Sequence, residues 1–157
     1  MTKSKHINKL IARKSNSITG MISVPGDKSI SHRAVIISMI TNGITQIYNL
    51  LDSSDVNKSL NAAISLGVEC NKKDGYLEIK GKGLHGLQAP NRELYFGNSG
   101  TSMRLFMGVL SAQNFSSILT GDSSLSSRPM ERVAQPLRKM GALIEMKNGH
   151  APIKIYP

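Results

Sequence analysis

The chain has 157 residues, 39% of them hydrophobic, and a net charge of +10 from 20 Lys and Arg against 10 Asp and Glu. That length suits one globular domain burying roughly 70% of its unfolded surface, no apolar run approaches the roughly 18 residues of a membrane span, and a single cysteine excludes a disulfide framework. With aromatics at only 4%, there is little to stack nucleic-acid bases, so the basic balance points to small polyanions; no nucleic-acid or membrane partner is expected.

Ile18 to Val24 reads as a strand stopped by Pro25-Gly26, after which Asp27 or Ser29 can cap a helix. Ile30, Ala34, Ile37 and Ile40 give that helix an apolar stripe, and Asn42-Gly43 ends it. Ile44 to Leu50 alternates as a strand does. Asp52 to Asp55 offers caps for a second helix lined by Val56, Leu60, Ala63 and Ile64 and closed by Gly67. Val68 to Cys70 and Tyr76 to Ile79 form hairpin arms around Asp74-Gly75, and Cys70 in this setting reads as a buried thiol. The unit is β-α-β-α-β-β.

Gly81 to Asn91 is a connector, and then the pattern returns. Leu94 to Phe96 enters a glycine loop whose helix carries Met103, Phe106, Val109 and Leu110. Ser117 to Thr120 is a strand, and Pro129 suits a first helical turn. Val133, Leu137 and Met140 line the next helix, in which Pro136 predicts a kink or a late start. Leu143 to Met146 and Ile153 to Tyr156 pair around Asn148-Gly149. Gly26 to Gly97 and Arg33 to Arg104 are shifts of 71 residues, whereas Asp74-Gly75 to Asn148-Gly149 is a shift of 74. The second copy therefore carries a short insertion between Asp122 and Gly141, an interval that contains Arg128-Pro129.

The repeated loops carry the chemistry. Gly26-Asp27-Lys28-Ser29-Ile30-Ser31-His32-Arg33 and Gly97-Asn98-Ser99-Gly100-Thr101-Ser102-Met103-Arg104 both run from glycine through small polar residues into a helix, with an Arg one turn in. Unpaired N–H groups and the positive dipole end at a helix start favour an anion. Lys28 and Ser29 add a charge and a hydroxyl. Arg33 and Arg104 lean back toward the same end, where guanidinium matches phosphate or carboxylate bidentately. Each loop alone is equally a turn plus a cap, and Arg104 equally a structural ion-pairing residue. Neither loop is a Walker A or dinucleotide motif. His6, His32, His85 and His150 are scattered, so no metal site is expected.

Val24 to Ala34, Gly97 to Arg104, and Leu119-Thr120-Gly121-Asp122 with Arg128-Pro129-Met130 together resemble the 3-phosphoshikimate 1-carboxyvinyltransferase family, also called 5-enolpyruvylshikimate-3-phosphate synthases. The resemblance implies an α/β fold, the inside-out α/β prism built of β-α-β-α-β-β units, of which two are present here. It implies transfer of the enolpyruvyl group of phosphoenolpyruvate to the 5-hydroxyl of shikimate 3-phosphate with release of phosphate, in the cytoplasm, without a cofactor. Matched position by position, Lys28, Ser29 and Arg33 would hold shikimate 3-phosphate, Lys28 also reaching phosphoenolpyruvate and being the candidate for proton transfer. Gly100 and Arg128 would border and bind phosphoenolpyruvate, and Asn98, Thr101 and Arg104 would shape that loop. Gly100 is also where the resemblance places sensitivity to glyphosate.

Family members run to over 400 residues, so a 157-residue chain is expected to be an incomplete synthase, inactive alone. Residues 1–17 would pair with an absent second domain that supplies the catalytic aspartate. Residues 18–157 would be a partial N-terminal domain, with units at about 18–83 and 94–157. A complementary C-terminal fragment is the implied partner. The other reading is a non-catalytic anion-binding or interaction module that has kept its phosphate loops.

Overall fold

The computed structural model describes residues 11–157. In chain order the elements are α1 (Lys28–Ile40), β1 (Asn42–Tyr48), α2 (Ser54–Ser65), β2 (Glu69–Lys73), β3 (Tyr76–Lys82), β4 (Leu94–Tyr95), α3 (Gly100–Leu110), β5 (Ser117–Thr120), α4 (Ser123–Ser126), α5 (Glu131–Lys139), β6 (Leu143–Lys147) and β7 (His150–Tyr156). They make two sheets, ordered β1-β3-β2 and β4-β5-β7-β6. In the second sheet β4 runs parallel to β5, while β5 with β7 and β6 with β7 are antiparallel. The first sheet is antiparallel throughout. Aligning β1 with β5, β3 with β7 and β2 with β6 superposes the two topologies, so the repeat read from the glycine loops is a repeat of structure.

Both hairpins turn where the residues require it. Lys73 pairs with Tyr76 across Asp74-Gly75, and Lys147 with His150 across Asn148-Gly149. Asn148 and Gly149 both have positive φ, 54° and 76°, a pairing that asparagine followed by glycine adopts at least cost.

Three sequence expectations need correction. Ile18 to Val24 forms no strand; Ile18 is 94% and Met21 100% exposed. By the alignment of the sheets, this segment would occupy the outer edge of β1, as β4 flanks β5. Its one tie to that region is the Asn49 side-chain amide donating to the Val24 carbonyl at 3.3 Å. A strand needs a ladder of backbone bonds, and one side-chain bond does not replace it. Second, the expected stripe of α1 is largely outside: Ile30 and Ile37 are exposed, and Val35, Ile36 and Met39 fill the core instead. Apolar residues crowd Ala34 to Ile40 on every side while polar Ser31, His32 and Ser38 are buried, so periodicity cannot choose the face. Third, Pro129 is not in a first helical turn but in the link between α4 and α5. The insertion in the second copy is α4 with that link. Pro136 does lie inside α5, which starts late, at Glu131.

One continuous core joins the copies. Val35, Met39, Leu66 and Ile79 from the first meet Phe96, Phe106, Leu119, Leu125 and Ile153 from the second, all fully buried. The Phe96 and Phe106 rings lie 5.2 Å apart between centroids in a tilted arrangement. Helix α3 packs against both α1 and α2. That contact brings the two glycine loops, one from each copy, to the same side of the molecule. Cys70, on β2, is half-buried, and burial raises its thiol pKa.

Candidate anion-binding site

Each loop is built by its own short-range bonds. The Asp27 carboxylate accepts from the Ile30 N–H at 2.8 Å and so caps α1, while the Ser31 hydroxyl donates to the Asp27 carbonyl at 2.7 Å and accepts from the Leu51 N–H at 3.0 Å. Those bonds fasten the start of α1 to the end of β1. Gly26 is required there, because a Cβ would overlap the Asn49 carbonyl oxygen. The second loop follows the same plan, with Ser99 capping α3 and Phe96 and Asp122 bonding across the end of β5 at 2.8 and 2.9 Å. Asp122 then caps α4, accepting from the Leu125 N–H at 2.7 Å. The two expected capping candidates of the first loop thus resolve to Asp27, and the Ser29 hydroxyl on the first turn has no hydrogen bond among the described residues.

Between the loops lies a cleft of about 410 Å³ lined by Lys28, Asp55, Asn98, Ser99, Gly100, Thr101, Arg104 and Arg128. It unites six of the eight residues singled out in the sequence. Ser29 and Arg33 are outside the lining; Arg33 Nη1 donates to its own helix's Ser29 carbonyl at 3.1 Å, beside Lys28 but turned along the helix. Arg128 is held by the Asn98 side-chain oxygen, and Arg104 Nη2 donates to the Pro129 carbonyl at 3.1 Å. Four-residue α4 and the link after it are what carry Arg128 to the loop.

The electrostatics are one-sided. Among the described residues neither Arg104 nor Arg128 has a carboxylate partner, since the ion pairs there are Lys28–Asp55, Lys80–Glu69, Lys82–Glu69 and Arg138–Glu131. Burial, and after it the charges of Arg132 and Arg128, pull the Arg104 guanidinium below its ordinary pKa. Crowded cations at a helix start lack an anion, and a phosphate or carboxylate would supply it. The ion-pairing role open to Arg104 in the sequence is not what the structure shows. Gly100 allows close approach: a Cβ there would stand 2.9 Å from Arg104 Nη1 and 3.2 Å from Arg128 Nη1.

Sequence reasoning missed Asp55, which it took only as a possible cap. Its carboxylate lies 3.1 Å from Lys28 Nζ, across 27 residues of sequence. An acidic residue in a first helical turn, three residues after Asp52, was the available signal. It names a dipole partner as readily as a lysine partner.

The chain is similar along most of its length to proteins of one family. The family described as EPSP synthase (3-phosphoshikimate 1-carboxyvinyltransferase) matches residues 12–157. The 3-phosphoshikimate 1-carboxyvinyltransferase of Salinibacter ruber is 49% identical over 90% of this chain and 33% of its own length, and that of Ruthia magnifica 47% identical over 95% and 34%. A solved EPSP synthase from Acinetobacter baumannii superposes with a TM-score of 0.83 at 49% identity, covering 87% of this chain and 32% of the other. The chain spans about a third of the length of these relatives. With a family match across nearly its whole length, a shared fold and the repeated loops in register, the chain belongs to the EPSP synthase family.

Proposed function

We propose that this chain supplies one wall of the active cleft of an enzyme that joins the enolpyruvyl group of phosphoenolpyruvate to the 5-hydroxyl of shikimate 3-phosphate and releases phosphate. The observation that carries this reading is the meeting in one cleft of Lys28, the Asn98–Thr101 loop and two guanidiniums that have no carboxylate partner among the described residues. Both substrates are phosphorylated carboxylates, and every cationic or N–H group in the cleft suits them. Lys28, Ser29 and Arg33, on the first two turns of α1, hold shikimate 3-phosphate once Arg33 leaves the Ser29 carbonyl. Gly100 lets phosphoenolpyruvate reach Arg128, with Asn98, Thr101 and Arg104 fixing the loop around it. In this reading Lys28, paired with Asp55, passes the proton.

A cleft open on one side neither excludes water nor surrounds the developing charge, and enolpyruvyl transfer needs both. In this reading residues 1–17 and a complementary C-terminal part close it, and the work is cytoplasmic. The exposed apolar face of α1, with Ile30 and Ile37, fits a helix that is covered on both sides in the complete prism.

The test is calorimetric titration of the 157-residue protein with shikimate 3-phosphate at fixed low salt, repeated with Lys28→Ala and Arg33→Ala. Binding that both substitutions abolish supports a preformed half-site. Mixing with the C-terminal two-thirds of a relative then separates the readings: restored turnover identifies a synthase wall, and binding without turnover an anion-binding module. A folded protein that binds no shikimate 3-phosphate overturns the assignment.

A further inference from the structure

Beneath the cleft runs a chain of buried polar side chains. His32 Nδ1 lies 2.8 Å from Ser59 Oγ, and Ser59 Oγ 2.5 Å from Ser102 Oγ. All three residues are wholly buried, in the interior that the apolar core otherwise fills. They come one each from α1, α2 and α3, the three helices whose first turns supply Lys28, Asp55, Gly100 and Thr101 to the cleft. His32 precedes Arg33 and Ser102 follows Thr101 in sequence.

We propose that His32 is a positioning residue for the anion site: through Ser59 and Ser102 it fixes the spacing and rotation of the two loop-bearing helices. This rests on the anion-binding reading of the cleft. Apolar side chains in those places would let neighbouring helices slide or turn with small loss, because dispersion is non-directional. Hydrogen bonds are not so tolerant; they weaken steeply with angle, and breaking one in the interior leaves a desolvated group without a partner. A small rotation of α3 against α1 would therefore break the chain before it loosened the packing. The loop residues lie within a turn or so of the bonded ones, so the bonds govern the distance between Lys28 and the Asn98–Thr101 loop.

The ring must be neutral to serve. Its Nε2 has no hydrogen-bond partner among the described residues. A second ring proton would be buried unpaired beside the cations Lys28 and Arg33 on α1, with Asp55 on α2 the one opposing charge. Burial accordingly holds the imidazole below its ordinary pKa.

The experiment compares wild type with His32→Asn, His32→Leu and Ser59→Ala in the 157-residue protein. Asparagine shares the path from Cβ to the Nδ1 position and can still bond Ser59; leucine and the Ser59 substitution cannot. Backbone amide shifts of residues 97–104 are read in the free protein, and affinity for shikimate 3-phosphate by calorimetry. Expected are loop shifts and affinity close to wild type for His32→Asn, with displaced loop amides and affinity weaker by about tenfold for the other two. A purely structural role would lower the melting temperature of the folded variants and leave both readouts unmoved, which overturns the proposal. Should His32→Leu not fold, Ser59→Ala decides alone, since it removes the middle link with little change of volume. If wild type binds no shikimate 3-phosphate, the functional reading falls, and the loop amides still decide whether His32 sets the spacing.

Discussion

Adding one methyl group at Gly100 should separate stability from ligand binding. Gly100 is the first residue of α3 and is not at a positive φ, so alanine can take its backbone conformation. Reducing the freedom of the unfolded chain then stabilises the protein by about 0.4–1 kcal/mol. The methyl carbon meets Arg104 Nη1 at 2.9 Å, Arg128 Nη1 at 3.2 Å and Leu125 Cδ1 at 3.5 Å. The first two are ends of long side chains, which give way by a few tenths of an ångström without disturbing the core. The second of those ends, Arg128, is also the proposed ligand of phosphoenolpyruvate. A hydrogen bond to a charged group contributes about 1.5–3 kcal/mol, and spoiling the alignment of one costs about half of that, or roughly fivefold in affinity. The assay pairs thermal unfolding with calorimetric titration of phosphoenolpyruvate at matched salt, because exposed charges are screened. Gly100→Ala should melt no lower than wild type and bind more weakly; in a complete enzyme the same change should weaken glyphosate more than turnover. Unchanged affinity, or a melting temperature several degrees lower, would refute the reasoning.

Phe106→Ala removes a fully buried ring packed on Phe96 and should cost about 3–5 kcal/mol, read as a lower denaturant midpoint. A loss under about 1 kcal/mol would mean that the joint core is not continuous. His32 gives stability a pH dependence. Its folded pKa is lowered from 6.5, so the unfolded chain takes up the proton first. Its contribution is complete above 6.5 and is lost as pH falls from there through the lower folded value. Melting temperatures between about pH 5 and 8 should therefore show a loss on the acid side that His32→Asn lacks; identical profiles would remove His32 as its source.

How much of this was legible in the sequence depended on range. Caps, turns and loops are settled by neighbours: Asn148-Gly149 and both glycine loops could be read directly, and the cap of α1 was narrowed to Asp27 or Ser29. Strand β5 was read to the residue, because Ser117 to Thr120 is bounded by turn residues on either side. The failures need a second segment. Whether Ile18 to Val24 is a strand depends on a ladder it does not form among the described residues. Which face of α1 is inside depends on what covers a helix whose apolar residues from Ala34 to Ile40 point to every side. The Lys28–Asp55 pair and the path from His32 to Ser102 join residues 27 to 70 positions apart, and no local pattern marks them.

The four-residue helix α4 has one more consequence. In the first copy the segment after Asp52 enters α2 directly and presents the carboxylate of Asp55; in the second, α4 and its link intervene and present the guanidinium of Arg128. The insertion thereby gives the second copy a cation that has no counterpart in the first, and Asp55 and Arg128 line one cavity. The duplicated unit has so produced a cavity that lacks the unit's own symmetry: at one side Lys28 is offset by Asp55, and an acidic guest gains most at the other, beside Arg104 and Arg128.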